Sequence, residues 1–228
     1  MKIDEVQVAD YERVVHAVDA ASGLNAYIGV HNTRLGPALG GMRMWPYGSE
    51  QEALTDVLRL SKGMSYKSAI SRTGLGGGKS VILGHPATHK TPALLQAMGR
   101  FIDELKGLYI TAEDVNVGVA DLKEVRKTTR WVTGLPRDEG SSGNPSPYTA
   151  RGVCLGIQVC LEEVFGTGSV KGRRFAVQGA GSVAETVIEY LVAEGGDVTV
   201  CDINSDRTQK LAQKHAVLKI VPPETIYD

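Results

Sequence analysis

Hydrophobic positions along this chain repeat with a period of two in some segments and of about 3.6 in others, the pattern of strands interleaved with helices. In 24–31, Leu24, Ala26, Ile28 and Val30 take every second position, which predicts a strand with one buried face. Segment 49–66 opens with Ser49 and Glu52, a capping-box pair. Its Ala53, Leu54, Val57, Leu58 and Leu60 then follow helical spacing. KSVILG (79–84) reads as a buried strand. Segment 91–107 carries Thr91 at the cap, Pro92 in the first turn and Gly107 past the end, which predicts a helix. LYITAED (108–114) reads as a strand ending in two acids, and 120–132 as a helix.

The texture changes between Thr133 and Pro147, where Gly, Pro and Ser dominate and apolar residues are few. This stretch predicts a hinge at 136–147 between a first domain, 1–135, and a second, 148–228. A helix over 148–165 is expected to follow, then strand 173–179, a glycine turn, helix 183–195, strand 197–202, helix 205–215 and strand 216–221. That βαβαβ order is the beginning of a doubly wound parallel sheet.

Charge is balanced, with 25 Lys+Arg against 26 Asp+Glu, so neither nucleic acid nor an anionic membrane is an expected partner. No apolar run approaches the ~18 residues of a membrane span, and the N-terminal segment lacks the plan of a signal peptide. The three cysteines form no Cys-x-x-Cys pair, so neither a disulfide framework nor a zinc site is expected, and a reducing, cytoplasmic setting is. His85 and His89 are four apart, but Pro86 breaks the helix a metal pair would need, so no metal is expected. Glycine is in excess at 27 residues, which points to tight turns and close backbone approach.

Gly179-Ala180-Gly181-Ser182-Val183-Ala184 fits G-x-G-x-x-G/A between a predicted strand and a predicted helix. Gly179 allows the tight turn, Gly181 lets a pyrophosphate approach the backbone, and Ala184 permits close helix–strand packing. The helix N-terminus supplies N–H donors to the phosphates. Asp202 closes the next strand, where an acid accepts from both ribose hydroxyls and repels a 2′-phosphate; the expected cofactor is NAD rather than NADP.

Gly76-Gly77-Gly78-Lys79-Ser80 imitates the end of a nucleotide P-loop, but Thr73 stands where the first glycine belongs and a strand follows where a helix is required. ATP binding is therefore rejected. A lysine withdrawn from water at a strand start has its ammonium disfavoured, which suits it to proton transfer; a lysine that merely snorkels to solvent fits the spacing as well. Lys67, Lys79 and Asp114 stand out as ionisable residues near element ends with small neighbours.

LGPALGGMRMW (35–45), KGMSYKSA (62–69), LGGGKSVI (75–82), YITAEDV (109–115) and SSGNPSPYTARGV (141–153) together resemble the amino-acid dehydrogenase family of glutamate, leucine, phenylalanine and valine dehydrogenases, most of all its leucine-specific branch. The resemblance implies an α/β fold: an N-terminal substrate domain with a mixed sheet, which also carries oligomerisation, and a partial Rossmann-type dinucleotide-binding domain. It implies NAD-dependent oxidative deamination of an L-amino acid to the 2-oxo acid and ammonia, and the reverse, in a homo-oligomer. By the matched motifs Lys67 binds the substrate carboxylate, and Gly40 and Gly41 line the site with backbone. Lys79 polarises water and the carbonyl, Asp114 moves protons at the substrate nitrogen, and Thr149 helps hold the nicotinamide end. Glu113 alternates to the opposite strand face. Glutamate-specific members carry a lysine where this chain has Leu39, and Ala112 matches a small pocket residue, so an apolar branched side chain such as leucine, valine or isoleucine is expected. Phenylalanine is the alternative on the same chemistry.

Family members continue past the position of Asp228, so the chain resembles a C-terminally shortened member, expected to have little activity alone. A second reading is a catalytically inactive NAD-binding remnant or assembly partner.

Overall fold

The computed structural model describes residues 1–227, so Asp228, the last residue of the expected second domain, lies outside the described residues. The chain separates into two compact units, Met1–Asn144 and Pro145–Asp228. The break falls inside the 136–147 segment.

The first unit is built on a six-stranded mixed sheet of β1 (Lys2–Glu5), β2 (Arg13–Asp19), β3 (Leu24–Asn32), β4 (Ala38–Trp45), β5 (Gly76–Leu83) and β6 (Tyr109–Ala112). Their spatial order is β1-β2-β3-β5-β4-β6. The pairs β1–β2, β2–β3 and β3–β5 are antiparallel; β5–β4 and β4–β6 are parallel. Helix α1 (Glu50–Ile70) covers one face, where Tyr27, Ala53, Val57 and Val81 form a small core. Helices α2 (Pro92–Asp103) and α3 (Val119–Arg126) cover the other, with Ala26, Ile28, Met42, Met98, Phe101 and Leu122 in the larger core. β3 is consequently buried on both faces, not on one: Leu24, Ala26, Ile28 and Val30 meet the larger core, and Tyr27 meets the smaller.

Caps explain the helix starts. Ser49 accepts from the Glu52 N–H, while the Glu52 carboxylate accepts from the N–H of Gly48, one residue ahead of the cap. Thr91 accepts from the Leu94 N–H. Several ends differ from expectation for local reasons. α1 runs on to Ile70. α2 stops at Asp103, because Lys106 and Gly107 turn left-handed at φ 50° and 89°. α3 stops at Arg126, because the Thr128 and Thr129 hydroxyls bond the Gln96 carbonyl and the Asp103 carboxylate of α2 and its end.

The second unit holds a parallel sheet in the order β7-β8-β9, of β7 (Arg174–Gln178), β8 (Asp197–Cys201) and β9 (Lys219–Ile220). Helices α4 (Ser146–Phe165), α5 (Ser182–Ala193) and α6 (Ser205–Lys214) complete it, around Cys154, Ile188, Leu191, Val198 and Val200. The last strand is two residues long instead of six: ahead of it the Leu218 N–H turns back to the His215 carbonyl, and beyond it Pro222 and Pro223 cannot extend the ladder. Among the described residues no helix is long and apolar enough to cross a membrane.

Candidate active site

Strands β4, β5 and β6 bring the site together. Leu39 pairs with Ile110 and Gly41 with Ala112 across β4–β6, and Arg43 pairs with Val81 across β4–β5. The period of two puts Leu39, Gly41 and Arg43 on one face with Ile110, Ala112, Lys79 and Val81. This is the face on which α1 packs over β3 and β5. Toward β6 it is only partly covered, and Leu39, Ile110 and Ala112 are half-buried. On the opposite face the fully buried Tyr109 hydroxyl donates to the Gly40 carbonyl at 2.5 Å and lies 3.0 Å from Ser80 Oγ and 3.2 Å from Thr111 Oγ1.

The glycine motifs are packing requirements. The three glycines before Lys79 belong to β5 itself, not to a turn ahead of it. A Cβ on Gly77 would stand 2.2 Å from the Ser65 amide of α1, and one on Gly78 2.7 Å from the Tyr109 ring. A Cβ on Gly40 would lie 1.7 Å from the Gly78 carbonyl oxygen. One on Gly41 would lie 2.4 Å from the Glu113 carbonyl oxygen and 2.7 Å from Asp114 Cβ. Only residues without side chains let α1, β4, β5 and the Asp114 turn approach this closely.

Lys79 emerges from this packing with its side chain 5% exposed and its Nζ 3.0 Å from Asp114 Oδ1. Asp114 opens a tight turn after β6, in which its N–H and carbonyl exchange hydrogen bonds with Val117. Asn116 takes the left-handed position of that turn, φ 62°, and donates to the Met44 carbonyl of β4. The other carboxylate oxygen of Asp114 accepts from Arg43 Nε at 2.9 Å. Burial pushes the Lys79 ammonium below the ordinary lysine range, and the ion pair with Asp114 restores only part of the shift. Burial alone would raise Asp114, but Lys79 and then Arg43 hold its carboxyl below the usual carboxylate range. Burial raises Glu113, which forms no ion pair with Lys79 or Arg43.

Sequence reasoning did not single out Arg43, Asp56 or Tyr47. Arg43 Nη1 donates to Asp56 Oδ2 at 2.9 Å, and the Tyr47 hydroxyl donates to the same oxygen at 2.6 Å. The available signal was the period-two step from Gly41 to Arg43. The 13-residue separation of Arg43 and Asp56 gives no pattern in one dimension. These residues border a groove of about 560 Å³ that includes neither Lys79 nor Asp114.

Lys67 is not brought to the pair. It lies exposed in the last turn of α1 and forms no ion pair among the described residues, although its neighbour Ser68 packs on Gly76. His85 N–H donates to His89 Nδ1, which ties that loop together.

In the second unit, Gly179 follows β7 with φ 99°, a conformation that favours glycine, and Gly181 is the N-cap of α5. Neither glycine is required by packing, since a Cβ at either would meet nothing within 4 Å. At Gly181, which has an ordinary φ of −81°, what the missing side chain leaves is open space beside a helix N-terminus. That space suits a dinucleotide pyrophosphate. Ala184 sits half-buried in the first turn of α5. Asp202 departs from the simple expectation: its Oδ1 accepts from the Asn204 N–H and its Oδ2 from the Ala180 N–H, both at 2.7 Å. These two bonds hold it below the usual carboxylate range and leave each oxygen one lone pair for a ribose hydroxyl. Arg207 Nη1 stands 4.0 Å from Asp202 Oδ2. A groove of about 290 Å³ runs past Gly179, Asp202 and Arg207. Thr149 lies exposed in the first turn of α4 and donates to the Pro145 carbonyl.

Residues 10–131 match the sequence profile of the Glu/Leu/Phe/Val dehydrogenase dimerisation domain. The chain is 48% identical to a leucine dehydrogenase of Thermoactinomyces intermedius, over 100% of its own length and 62% of the relative's. It is 44% identical to a valine dehydrogenase of Streptomyces virginiae, over 90% of its length and 57% of the relative's. The crystal structure of L-tryptophan dehydrogenase from Nostoc punctiforme superimposes with a TM-score of 0.66 at 35% identity, covering 96% of this chain and 61% of that one. The chain thus spans about three fifths of the length of these relatives. With more than half of its residues under one family profile, and the paired glycines, the triglycine lysine and the acid turn folded around one another, the chain belongs to the Glu/Leu/Phe/Val dehydrogenase family.

Proposed function

We propose that the chain carries the catalytic pair and the dinucleotide half-site of an NAD-dependent L-amino-acid dehydrogenase acting on apolar, branched side chains. The observation that carries this reading is the Lys79–Asp114 pair, 3.0 Å apart and largely withdrawn from water, on a sheet face shared with Leu39, Gly41 and Ala112.

Oxidative deamination needs a neutral substrate amine before hydride leaves Cα, then water added to the resulting imine. Asp114, ionised at neutral pH, takes the proton from the substrate ammonium. Bound nicotinamide supplies the hydride acceptor. Lys79 takes the proton of the attacking water as the C–O bond forms; burial lowers its pKa, which favours the neutral amine this transfer needs. Asp114 returns its proton to nitrogen as the carbinolamine C–N bond breaks, then takes the proton of the carbinolamine hydroxyl as C=O forms and passes it to the departing ammonia, which leaves as ammonium. Lys79 then stays hydrogen-bonded to the carbonyl oxygen of the 2-oxo acid. Lys67, exposed and without an ion-pair partner among the described residues, binds the substrate carboxylate, and the Gly40–Gly41 backbone lines the site next to Lys79 and Asp114. Leu39 and Ala112 give an apolar pocket floor with no cation for a second carboxylate, which supports leucine, valine or isoleucine over glutamate. One methylene changes selectivity by only ~1–3 kcal/mol, so these three are expected to overlap as substrates.

In the second unit Gly179, Gly181 and Ala184 form the pyrophosphate seat, Asp202 takes the ribose, and Thr149 supports the nicotinamide end. The assembly is a homo-oligomer, for which the exposed edge strand β1 offers unpaired backbone.

The test is NADH formation by the chain joined to the part of a leucine dehydrogenase that the match leaves out, with L-leucine, L-valine, L-isoleucine, L-phenylalanine and L-glutamate. Turnover of the branched substrates with NAD is expected. Preference for glutamate or for NADP overturns the pocket or the ribose assignment respectively.

A further inference from the structure

The Asp114 carboxylate is gripped at both oxygens by different cations. Oδ1 faces Lys79 Nζ at 3.0 Å, and Oδ2 accepts from Arg43 Nε at 2.9 Å. Lys79 alone would leave the carboxylate free to turn about its Cβ–Cγ bond, a torsion with a broad and roughly two-fold profile. Arg43 removes that freedom only if its own position is fixed. It is fixed from behind: Nη1 donates to Asp56 Oδ2 at 2.9 Å, and the same oxygen accepts the Tyr47 hydroxyl at 2.6 Å. The chain Lys79–Asp114–Arg43–Asp56–Tyr47 joins β5, the turn after β6, β4, α1 and the β4–α1 connection. Its four ions sum to zero charge. Arg43 and Asp114 are each only 23% exposed on their side chains, so the link is screened less than a surface pair.

We propose that Arg43 is a positioning residue of this site: clamped by Asp56 and Tyr47, its guanidinium fixes the orientation of Asp114 so that Oδ1 stays turned to Lys79 and Oδ2 is withheld from proton exchange. The role needs arginine. Its planar fork serves two carboxylates from adjacent nitrogens, whereas a lysine ammonium is a point charge on a flexible stem. It also makes Asp114 functionally asymmetric, with a single oxygen available to a substrate nitrogen. The charged and titratable groups around Asp114 are Lys79 from β5, Arg43 from β4, Asp56 from α1, Tyr109 from β6 and Glu113 before it. Lys79 and Arg43 are the two cations of this set, and both touch Asp114.

The kinetic part of the test rests on the dehydrogenase reading; the titration part does not. The Asp114 carboxyl carbon is followed by NMR against pH in the 228-residue chain and in Arg43→Met and Arg43→Lys. Arg43→Met is expected to raise the Asp114 midpoint by about 1 unit or more, the effect of losing an opposite charge in contact. Arg43→Lys, which keeps charge without the fork, is expected to raise it by less. A midpoint unmoved in both folded variants overturns the proposal. If Arg43→Met does not fold, Arg43→Lys decides alone: a rise supports the fork, and an unmoved midpoint refutes it. In the completed dehydrogenase, Arg43→Lys is expected to lower kcat about tenfold with the amino-acid KM within about threefold, the pattern of a lost alignment. Arg43→Met is expected also to move the acidic limb of the kcat/KM profile upward. A purely structural role would lower kcat and leave that limb in place. Absence of turnover in the unmutated protein would instead refute the dehydrogenase reading, with the titration result unaffected.

Discussion

Replacing Gly41 by alanine drives a methyl group into the turn that carries Asp114. The added Cβ stands 2.4 Å from the Glu113 carbonyl oxygen and 2.7 Å from Asp114 Cβ, neither of which is a flexible side-chain end. Ordinary carbon contacts need about 3.5 Å, so the turn must retreat by about 1 Å. The Asp114 oxygens now lie 2.9 and 3.0 Å from Arg43 and Lys79, and that retreat carries at least one beyond hydrogen-bond range. Overpacking costs about 1–3 kcal/mol. Loss of one charge-assisted bond adds about 1.5–3 kcal/mol. The expected destabilisation is therefore about 2.5–6 kcal/mol for the first unit. Both tryptophans, Trp45 and Trp131, belong to that unit, so urea denaturation followed by tryptophan fluorescence reads it selectively. Gly63→Ala is the internal control. It lies in α1 with nothing within 4 Å of an added Cβ, and should stabilise by about 0.5–1 kcal/mol. A Gly41→Ala chain as stable as its parent, with the Asp114 titration unchanged, would refute the close-packing account of the site.

Tyr109→Phe should destabilise the first unit by about 1–3 kcal/mol in the same assay, because it strips the Gly40 carbonyl of a buried donor and leaves Ser80 and Thr111 one partner short. The pH dependence of stability has two signed parts. Asp114, depressed in the fold, contributes stability that is present above the unfolded carboxylate value of about 3.9 and is lost as pH falls through its folded value. Lys79, also depressed, makes the unfolded chain the better proton binder between its folded value and about 10.4, so stability rises with pH across that window. Urea titrations should show that rise, and Lys79→Met should flatten it; a slope unchanged in Lys79→Met contradicts the burial argument. Calorimetric binding to the chain should favour NAD over NADP, and Asp202→Ser should narrow the preference while loosening the Ala180 and Asn204 amides. Equal affinities in the unmutated chain would refute the ribose role.

The elements legible in the sequence are those with local causes. Thr91 and Pro92 start α2, Ser49 starts α1, and Gly179–Ala184 marks the strand–turn–helix because backbone geometry demands glycine where the φ is 99°. β4 escaped reading because Gly40 and Gly41 interrupt its alternation. Those glycines answer to Gly78 and Asp114, residues distant in the chain. β1 escaped because its four residues are all exposed and carry no apolar pattern. The strand read at 79–84 omits the triglycine for the same reason that β4 escaped: glycine is rare inside strands unless another backbone lies against it. Lys79 and Asp114 were identified through the family motifs, and the structure pairs them. The Arg43–Asp56–Tyr47 clamp was not identified, since hydrogen bonds that join β4, the β4–α1 connection and α1 exist only once the sheet has formed.

The most direct test of the Lys79–Asp114 assignment is the turnover of Lys79→Ala beside its NAD affinity, in the chain completed from a leucine dehydrogenase and assayed with L-leucine. Loss of a general base and charge partner should lower kcat by at least about 10²–10⁴-fold, with the NAD dissociation constant held within about threefold, the range of a lost non-contact. A variant that turns over leucine within about tenfold of the unmutated protein, one 1.4 kcal/mol step in barrier, would contradict the assignment.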